Sequence, residues 1–119
     1  MERKEILIEV VDYIENNLEE KLTIEEMAGE IHISQAHLQR VFRDAFGIPI
    51  AEYVRSRKLQ RAMELLYGTE GKVCDIAYDV GFAYESSFIR SFKREFGITP
   101  NEARRQKVKI CKMPPLEVM

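Results

Sequence analysis

The sequence predicts an all-α fold of seven helices, in which one long helix joins two helix-turn-helix subdomains. Apolar residues recur with a helical period along the 119-residue chain, and only the last few residues alternate as a strand would. In addition, the order of short helix, tight turn and longer helix occurs twice, about 50 residues apart. A chain of this length fits one small domain or two very small subdomains that share an element.

The first three helices follow from spacing and capping signals. The first presents an apolar face formed by Leu7, Val10, Val11, Ile14 and Leu18. Thr23 with Glu26 forms a capping box, which predicts a short second helix that ends near Ile31. A tight turn then places His32 at positive φ. Ser34 caps the third helix, Gly47 ends it, and its apolar face comprises Leu38, Val41, Phe42, Ala45 and Phe46.

The fourth helix is predicted from Pro49, suited to a first helical turn, to Tyr67. Tyr53 and Val54 face differently from its later apolar residues, which are Leu59, Met63 and Leu66. A helix that is apolar on two faces is usually packed between two units. This one therefore predicts that the chain has two small cores.

The last three helices repeat the earlier order. A short helix contains Ile76, Ala77 and Val80, Gly81 supplies the turn, and a longer helix ends at Gly97. That helix carries a core stripe formed by Phe88, Phe92 and Phe96. The segment 99–102 is a second capping box, with proline at the first helical position, and predicts a seventh helix.

The repeat has an offset of 49 residues before the turn and 50 after it, so the second copy has one extra residue near Tyr84. Ala28 matches Ala77, and these small residues allow the two helices of each unit to cross closely. Ala83 is predicted to be a poor cap, and Tyr84 offers no better one, so the second long helix is expected to start late.

Charge is distributed unevenly although the net charge is only −2. Residues 34–61 carry +4 and residues 86–113 carry +6, whereas residues 1–33 carry −7 and residues 62–85 carry −4. The basic stretches contain exposed helical faces, formed by Ala36, Gln39, Arg40 and Arg43 and by Ser86, Ile89, Arg90 and Lys93. Arg, Gln and Ser read base edges or bind phosphates, so two matched faces favour DNA binding.

Three segments carry a specific resemblance. They are IAYDVGF (76–82), SFIRSFKREFGITPNEAR (87–104) and the long-helix segment VRSRKLQRAMELL (54–66). Together, over residues 5 to about 108, the chain resembles the DNA-binding domain of the AraC/XylS family of bacterial transcription regulators. The resemblance implies a sequence-specific regulator of transcription that inserts two recognition helices into successive major grooves of double-stranded DNA. It also implies RNA polymerase as a partner.

The resemblance assigns roles by position. It implies base contacts from Ala36, Gln39, Arg40, Glu85, Ser86, Ile89 and Arg90. It implies phosphate contacts from Ser34, Arg43, Arg55, Lys93 and Arg94. Ala36 can offer only an apolar contact to a thymine methyl group, and Ile89 is either such a reader or an idle apolar residue.

Other functions find less support. No nucleophile, general base and orienting partner can be assembled by spacing, so the sequence predicts no enzyme and no cofactor. Cys74, expected to be half-buried, and Cys111 have no metal-ligand spacing, and His32 is a turn residue, so no metal site is predicted. Tyr13, Tyr53 and Tyr78 are expected in the core. A charged N-terminus and the lack of a membrane span favour the cytoplasm.

The alternative function is a helical protein-interaction module with no DNA contact, in which the acidic face of residues 1–33 docks a partner. The predicted DNA-binding domain spans 1–112, with helix-turn-helix units at about 23–47 and 72–97 and the linking helix at about 49–67. The tail, 113–119, follows a segment that resembles the linker to a C-terminal gyrase-inhibitor-like effector domain. The sequence leaves open whether the chain is complete, and a small-molecule effector is expected only if a further domain exists.

Overall fold

The computed structural model describes residues 2–106, and every element in that range is helical. The seven helices are α1 (Arg3–Asn16), α2 (Ile24–Ile31), α3 (Gln35–Phe46), α4 (Ile50–Gly68), α5 (Val73–Asp79), α6 (Glu85–Phe96) and α7 (Pro100–Gln106). The predicted all-α class and helix count are confirmed. The tail 113–119 and Cys111 lie outside the described residues. Across residues 2–106, no helix has both the length and the apolar character needed to cross a bilayer.

The described residues divide into two compact units, each with its own core. The first unit comprises residues 2–18 and 22–55, and the second comprises residues 19–21 and 56–106. Helix α4 contributes Tyr53 and Val54 to the first core, and Leu59, Met63 and Leu66 to the second. The prediction that α4 is apolar on two faces is thereby confirmed, because each face belongs to a different core.

The first core is built from α1, α2, α3 and the start of α4. Phe42 is fully buried, and its ring centroid lies 4.8 Å from that of Phe46 and 5.5 Å from that of Tyr53. Ala28 is buried where α2 packs on α3, as its small size predicts. These contacts fix the third helix so that its opposite face is left to solvent.

The second core contains the phenylalanine stripe of α6. Phe88 and Phe92 are fully buried, and their ring centroids are 5.7 Å apart. Phe82 contacts Phe88 from the turn at 5.4 Å, while Phe96 contacts Phe92 at 4.7 Å. The stripe is therefore core, as predicted, and it orients α6 in the same way that Phe42 orients α3.

The caps form where the sequence places them. The Glu26 amide donates to Thr23 Oγ1 at 3.1 Å, and the His37 amide donates to Ser34 Oγ at 3.1 Å. Thr99 and Glu102 form a fully reciprocal capping box, with both hydrogen bonds at 3.2 Å. Each long recognition-type helix ends at a left-handed glycine, with φ of 77° at Gly47 and 80° at Gly97.

Arg104 of α7 holds the end of α4 in the second unit. Its Nε donates to the Leu66 carbonyl at 3.2 Å, its Nη1 to that of Gly71 at 2.7 Å and its Nη2 to that of Thr69 at 3.2 Å. The last carbonyls of a helix lack intrahelical partners, and a guanidinium supplies both donors and favourable charge there. We call this arrangement the Arg104 clamp.

Three packing predictions are wrong. Tyr78 is 74% exposed, because the seven-residue α5 buries Ile76 and Ala77 and leaves the opposite face to solvent. Cys74 is exposed for the same reason. Ala45 is exposed although it lies on the same side of α3 as Leu38 and Phe42, because it falls in the last turn of the helix, where burial decreases. By contrast, Tyr53 is buried and Tyr13 is partly buried against the first core, as predicted.

Candidate nucleic-acid interface

Both helix-turn-helix turns are closed by the same backbone hydrogen bonds. In the first turn the Ile33 amide donates to the Ala28 carbonyl at 3.1 Å, and in the second the Phe82 amide donates to the Ala77 carbonyl at 3.0 Å. The residue before each donor is left-handed, with φ of 66° at His32 and 86° at Gly81. The sequence repeat is therefore also a repeat of backbone conformation, and it presents one long helix after each turn.

The extra residue of the second copy lies in this turn. Two residues separate His32 from α3, whereas three separate Gly81 from α6. The late start predicted for α6 is wrong, because both long helices have 12 residues and Glu85 begins α6 where Gln35 begins α3. The N-cap residue is Tyr84 and not Ala83. Tyr84 makes no side-chain capping hydrogen bond, because its hydroxyl lies at the far end of a rigid ring and cannot reach the amides of the first helical turn.

The missing cap leads to a prediction about stability. Tyr84→Ser should stabilise the second unit by about 1 kcal/mol, since serine can cap α6 as Ser34 caps α3. Urea denaturation followed by circular dichroism measures this change. The matched variant Ser34→Ala should destabilise the first unit by a similar amount. If Tyr84→Ser lowered the free energy of unfolding, the phenol would have a stabilising contact in solution, contrary to its 72% exposure.

The predicted site residues of the first unit form one exposed face. Ala36, Gln39, Arg40 and Arg43 are all exposed on α3, opposite the buried Leu38 and Phe42. Ser34 is exposed at the N-cap, and Arg55 is exposed on α4. Among residues 2–106, neither Arg40 nor Arg43 has an ion-pair partner, so both guanidinium groups are available to an anionic ligand. We call the α3 set the first reading face.

In the second unit the structure brings most predicted residues to one face of α6. Ser86, Arg90, Lys93 and Arg94 are exposed, and Glu85 is exposed at the first helical position. Ile89 differs from its counterpart Gln39, because it is only partly exposed and packs against the second core. This packing leaves Ile89 with less exposed surface for a base contact than Gln39 has. We call the exposed α6 set the second reading face.

Sequence reasoning missed one buried ion next to the second turn. Lys58 of α4 is only 7% exposed, and its Nζ donates to the carbonyls of Glu20 at 2.6 Å and Val80 at 3.1 Å. Burial lowers the pKa of the Lys58 ammonium, while the Glu20 carboxylate opposes part of this shift. The signal available in the sequence was a lysine beside Leu59 in the apolar part of α4, but exposed lysines are far more common there.

Comparisons with known proteins also identify helix-turn-helix units in this chain. Residues 27–106 match the family of helix-turn-helix domains. The chain is 38% identical over 106 residues to the putative helix-turn-helix transcriptional regulator YkgA of Escherichia coli K12, covering 89% of this chain but only 44% of YkgA. It is 33% identical to the regulatory protein SoxS of Salmonella typhimurium, covering 89% of this chain and 99% of SoxS.

A solved structure supports the same assignment. The DNA-binding domain of AdpA, a global transcriptional factor, was crystallised in complex with a target DNA. It superposes with a TM-score of 0.79 at 26% identity, over 84% of this chain and 90% of that domain. Together, the matched helix-turn-helix repeat and these likenesses show that the chain belongs to the AraC/XylS-type family of helix-turn-helix DNA-binding domains.

Proposed function

We propose that this chain is a sequence-specific regulator of transcription that binds double-stranded DNA through α3 and α6. The observation that carries the proposal is the duplicated turn, because a helix with an exposed cationic face follows it in each unit. A helix of this diameter fits the major groove, where each base pair displays a distinct pattern of donors and acceptors. Two such helices in one chain would occupy two successive major grooves.

The reading faces suggest a division of roles. We assign base contacts to Ala36, Gln39, Arg40, Glu85, Ser86, Ile89 and Arg90. We assign phosphate contacts to Ser34, Arg43, Arg55, Lys93 and Arg94. Arginine can bind guanine through two hydrogen bonds, whereas a carboxylate such as that of Glu85 is repelled by phosphates unless it accepts from a cytosine amino group. The partial burial of Ile89 makes it the weakest member of this set.

The proposal also covers the extent of the domain, its partner in transcription and its subgroup. The whole domain would extend over residues 1–112, and the regulator would act on RNA polymerase, as expected for a protein that controls transcription in the cytoplasm. Membership of the subgroup with a gyrase-inhibitor-like effector domain depends on residues 108–119, which lie outside the described residues. The relative YkgA, of which this chain spans 44%, supports a longer regulator as one arrangement within the family.

Salt dependence tests this function against a protein-interaction module that has no DNA contact. Binding should weaken with salt at a slope of about −3 to −4 in a plot of log K against log salt, because four proposed phosphate contacts are cationic and each releases about 0.9 counterion. Fluorescence anisotropy on duplexes enriched from a random pool measures both slope and preference. Lys4→Ala, which removes an exposed cation of α1, is the control and should leave the slope unchanged. Absence of any enriched sequence would refute the proposal.

A further inference from the structure

Lys58 joins three separate pieces of the second unit. It lies in α4, and its ammonium binds one carbonyl in the segment 19–21 and another at Val80, the C-cap residue that follows α5. Buried side-chain charges are costly unless they are hydrogen-bonded, and here the ammonium donates to at least two backbone carbonyls. Its position at the end of a helix is also favourable, because the last carbonyls of α5 carry partial negative charge.

The Lys58 ammonium limits the space for a side chain at the residue after Val80, which is Gly81. A Cβ atom at Gly81 would overlap Lys58 Nζ and would lie 3.0 Å from the Glu20 carbonyl oxygen. Gly81 also has φ of 86°, which side chains rarely adopt. Two independent constraints therefore favour glycine here, and one of them is the Lys58 ammonium, which a side chain at position 81 would have to displace.

The first turn provides an internal comparison. Its left-handed residue is His32, which has φ of 66° and an exposed side chain. The same turn conformation thus accepts a side chain where no buried ammonium lies against it. The absence of a side chain at Gly81 follows from the packing of Lys58 as well as from the backbone conformation.

We propose that Lys58 is a positioning residue for DNA recognition, which sets the second reading face by fastening the Val80–Gly81 turn from which α6 begins. Only three residues separate Gly81 from Glu85, so a shift of the turn is passed to the start of α6. Base contacts tolerate little displacement, because the bidentate hydrogen bonds of an arginine require fixed geometry. This inference rests on the proposed DNA-binding function.

The test compares two variants of Lys58 with a control on the same helix. Lys58→Met keeps an unbranched side chain of nearly the same length and removes its charge and donors, whereas Lys58→Arg keeps the charge and the donors. Arg61→Met removes an exposed cation that pairs with Glu64 one turn further along α4. Each variant is used to select duplexes from a random pool, at a temperature at which circular dichroism shows that the variant is folded. Lys58→Met should lose about tenfold in preference across the half-site read by α6 and retain the half read by α3.

A purely structural role would give a different profile. Binding would then fall equally on all duplexes, in proportion to the folded fraction, and the selected sequence would stay the same in both halves. That result, or an equal loss in Arg61→Met, would overturn the proposal. Lys58→Arg should keep more of the second half-site preference than Lys58→Met. If Lys58→Met left the second unit unfolded, Lys58→Gln, which retains an uncharged NH2 donor group, would be judged by the same criterion.

A measurement without DNA separates this inference from the proposed function. Amide chemical shifts of residues 81–87 should move in Lys58→Met, remain closer to the parent in Lys58→Arg and stay unchanged in Arg61→Met. If the parent protein bound no duplex while these shifts followed this order, the proposed function would fail and the fastening of the turn would stand. Unchanged shifts at residues 81–87 in folded Lys58→Met would show that Lys58 does not position α6.

Discussion

Phe92→Ala should destabilise the second unit by about 3–5 kcal/mol, the cost of truncating a buried phenylalanine and leaving a cavity. Phe92 is fully buried and contacts the rings on both sides of it in the stripe, Phe88 and Phe96. A small domain has about 5–15 kcal/mol of stability in total, so this loss removes a large part of it. Urea denaturation followed through the amide signals of α5, α6 and α7 measures the effect.

Phe96→Ala is the matched control, because Phe96 belongs to the same stripe but is only partly buried. Its cost should be about half that of Phe92→Ala or less, since part of the Phe96 side chain is already exposed to water. Equal costs for the two variants would mean that the core boundary runs further along α6 than the burial pattern indicates. The amide signals of α2 and α3 report whether the effect is confined to the second unit.

Arg40→Ala should cost about 1–3 kcal/mol of specific DNA binding and relax the preference at one or two base pairs. Arg40 lies in the middle of the first reading face and has no ion-pair partner within residues 2–106, so its guanidinium can reach a base edge. Selection from random duplexes, followed by anisotropy on the selected site, measures both the affinity and the sequence information. The predicted loss of preference is confined to those one or two base pairs.

Two further variants serve as comparisons for Arg40→Ala. Arg43→Ala should weaken binding to all duplexes alike and reduce the salt slope by about one, as expected for a phosphate contact. Arg90→Ala should erase less sequence information than Arg40→Ala, because the second reading face has Glu85 at its start and a partly buried Ile89. A greater loss in Arg90→Ala would reverse the ranking of the two faces and indicate that Glu85 reads cytosine.

Local signals in the sequence were sufficient for most of the fold. Capping residues such as Thr23, Ser34 and Thr99 form the expected hydrogen bonds, because these depend on neighbours within three residues. The phenylalanine stripe and the two-sided α4 were also predictable from helical spacing. The α3 and α6 faces follow directly, since a helix that buries one side must expose the other.

Contacts between distant segments were not predictable. The Lys58 ammonium bonds to a carbonyl 38 positions earlier in the chain and to another 22 positions later, and no periodicity encodes such pairs. Tyr78 was misplaced because an aromatic residue in a short helix is assigned to the core by type, although α5 has room to bury only one narrow side. Ile89 could not be placed, since its burial depends on how α6 rotates over the second core.

The Arg104 clamp affects the rate at which proteases cleave the chain. The exposed segment 68–72 begins at the last residue of α4 and contains Gly68 and Gly71, which would make it a preferred cleavage point. A protease must bind its substrate as an extended strand, but the carbonyls of Leu66, Thr69 and Gly71 are all held by one guanidinium. We therefore expect cleavage to require release of these carbonyls by the Arg104 side chain first, so the rate of loss should follow the population of that locally open form more than the exposure of the segment.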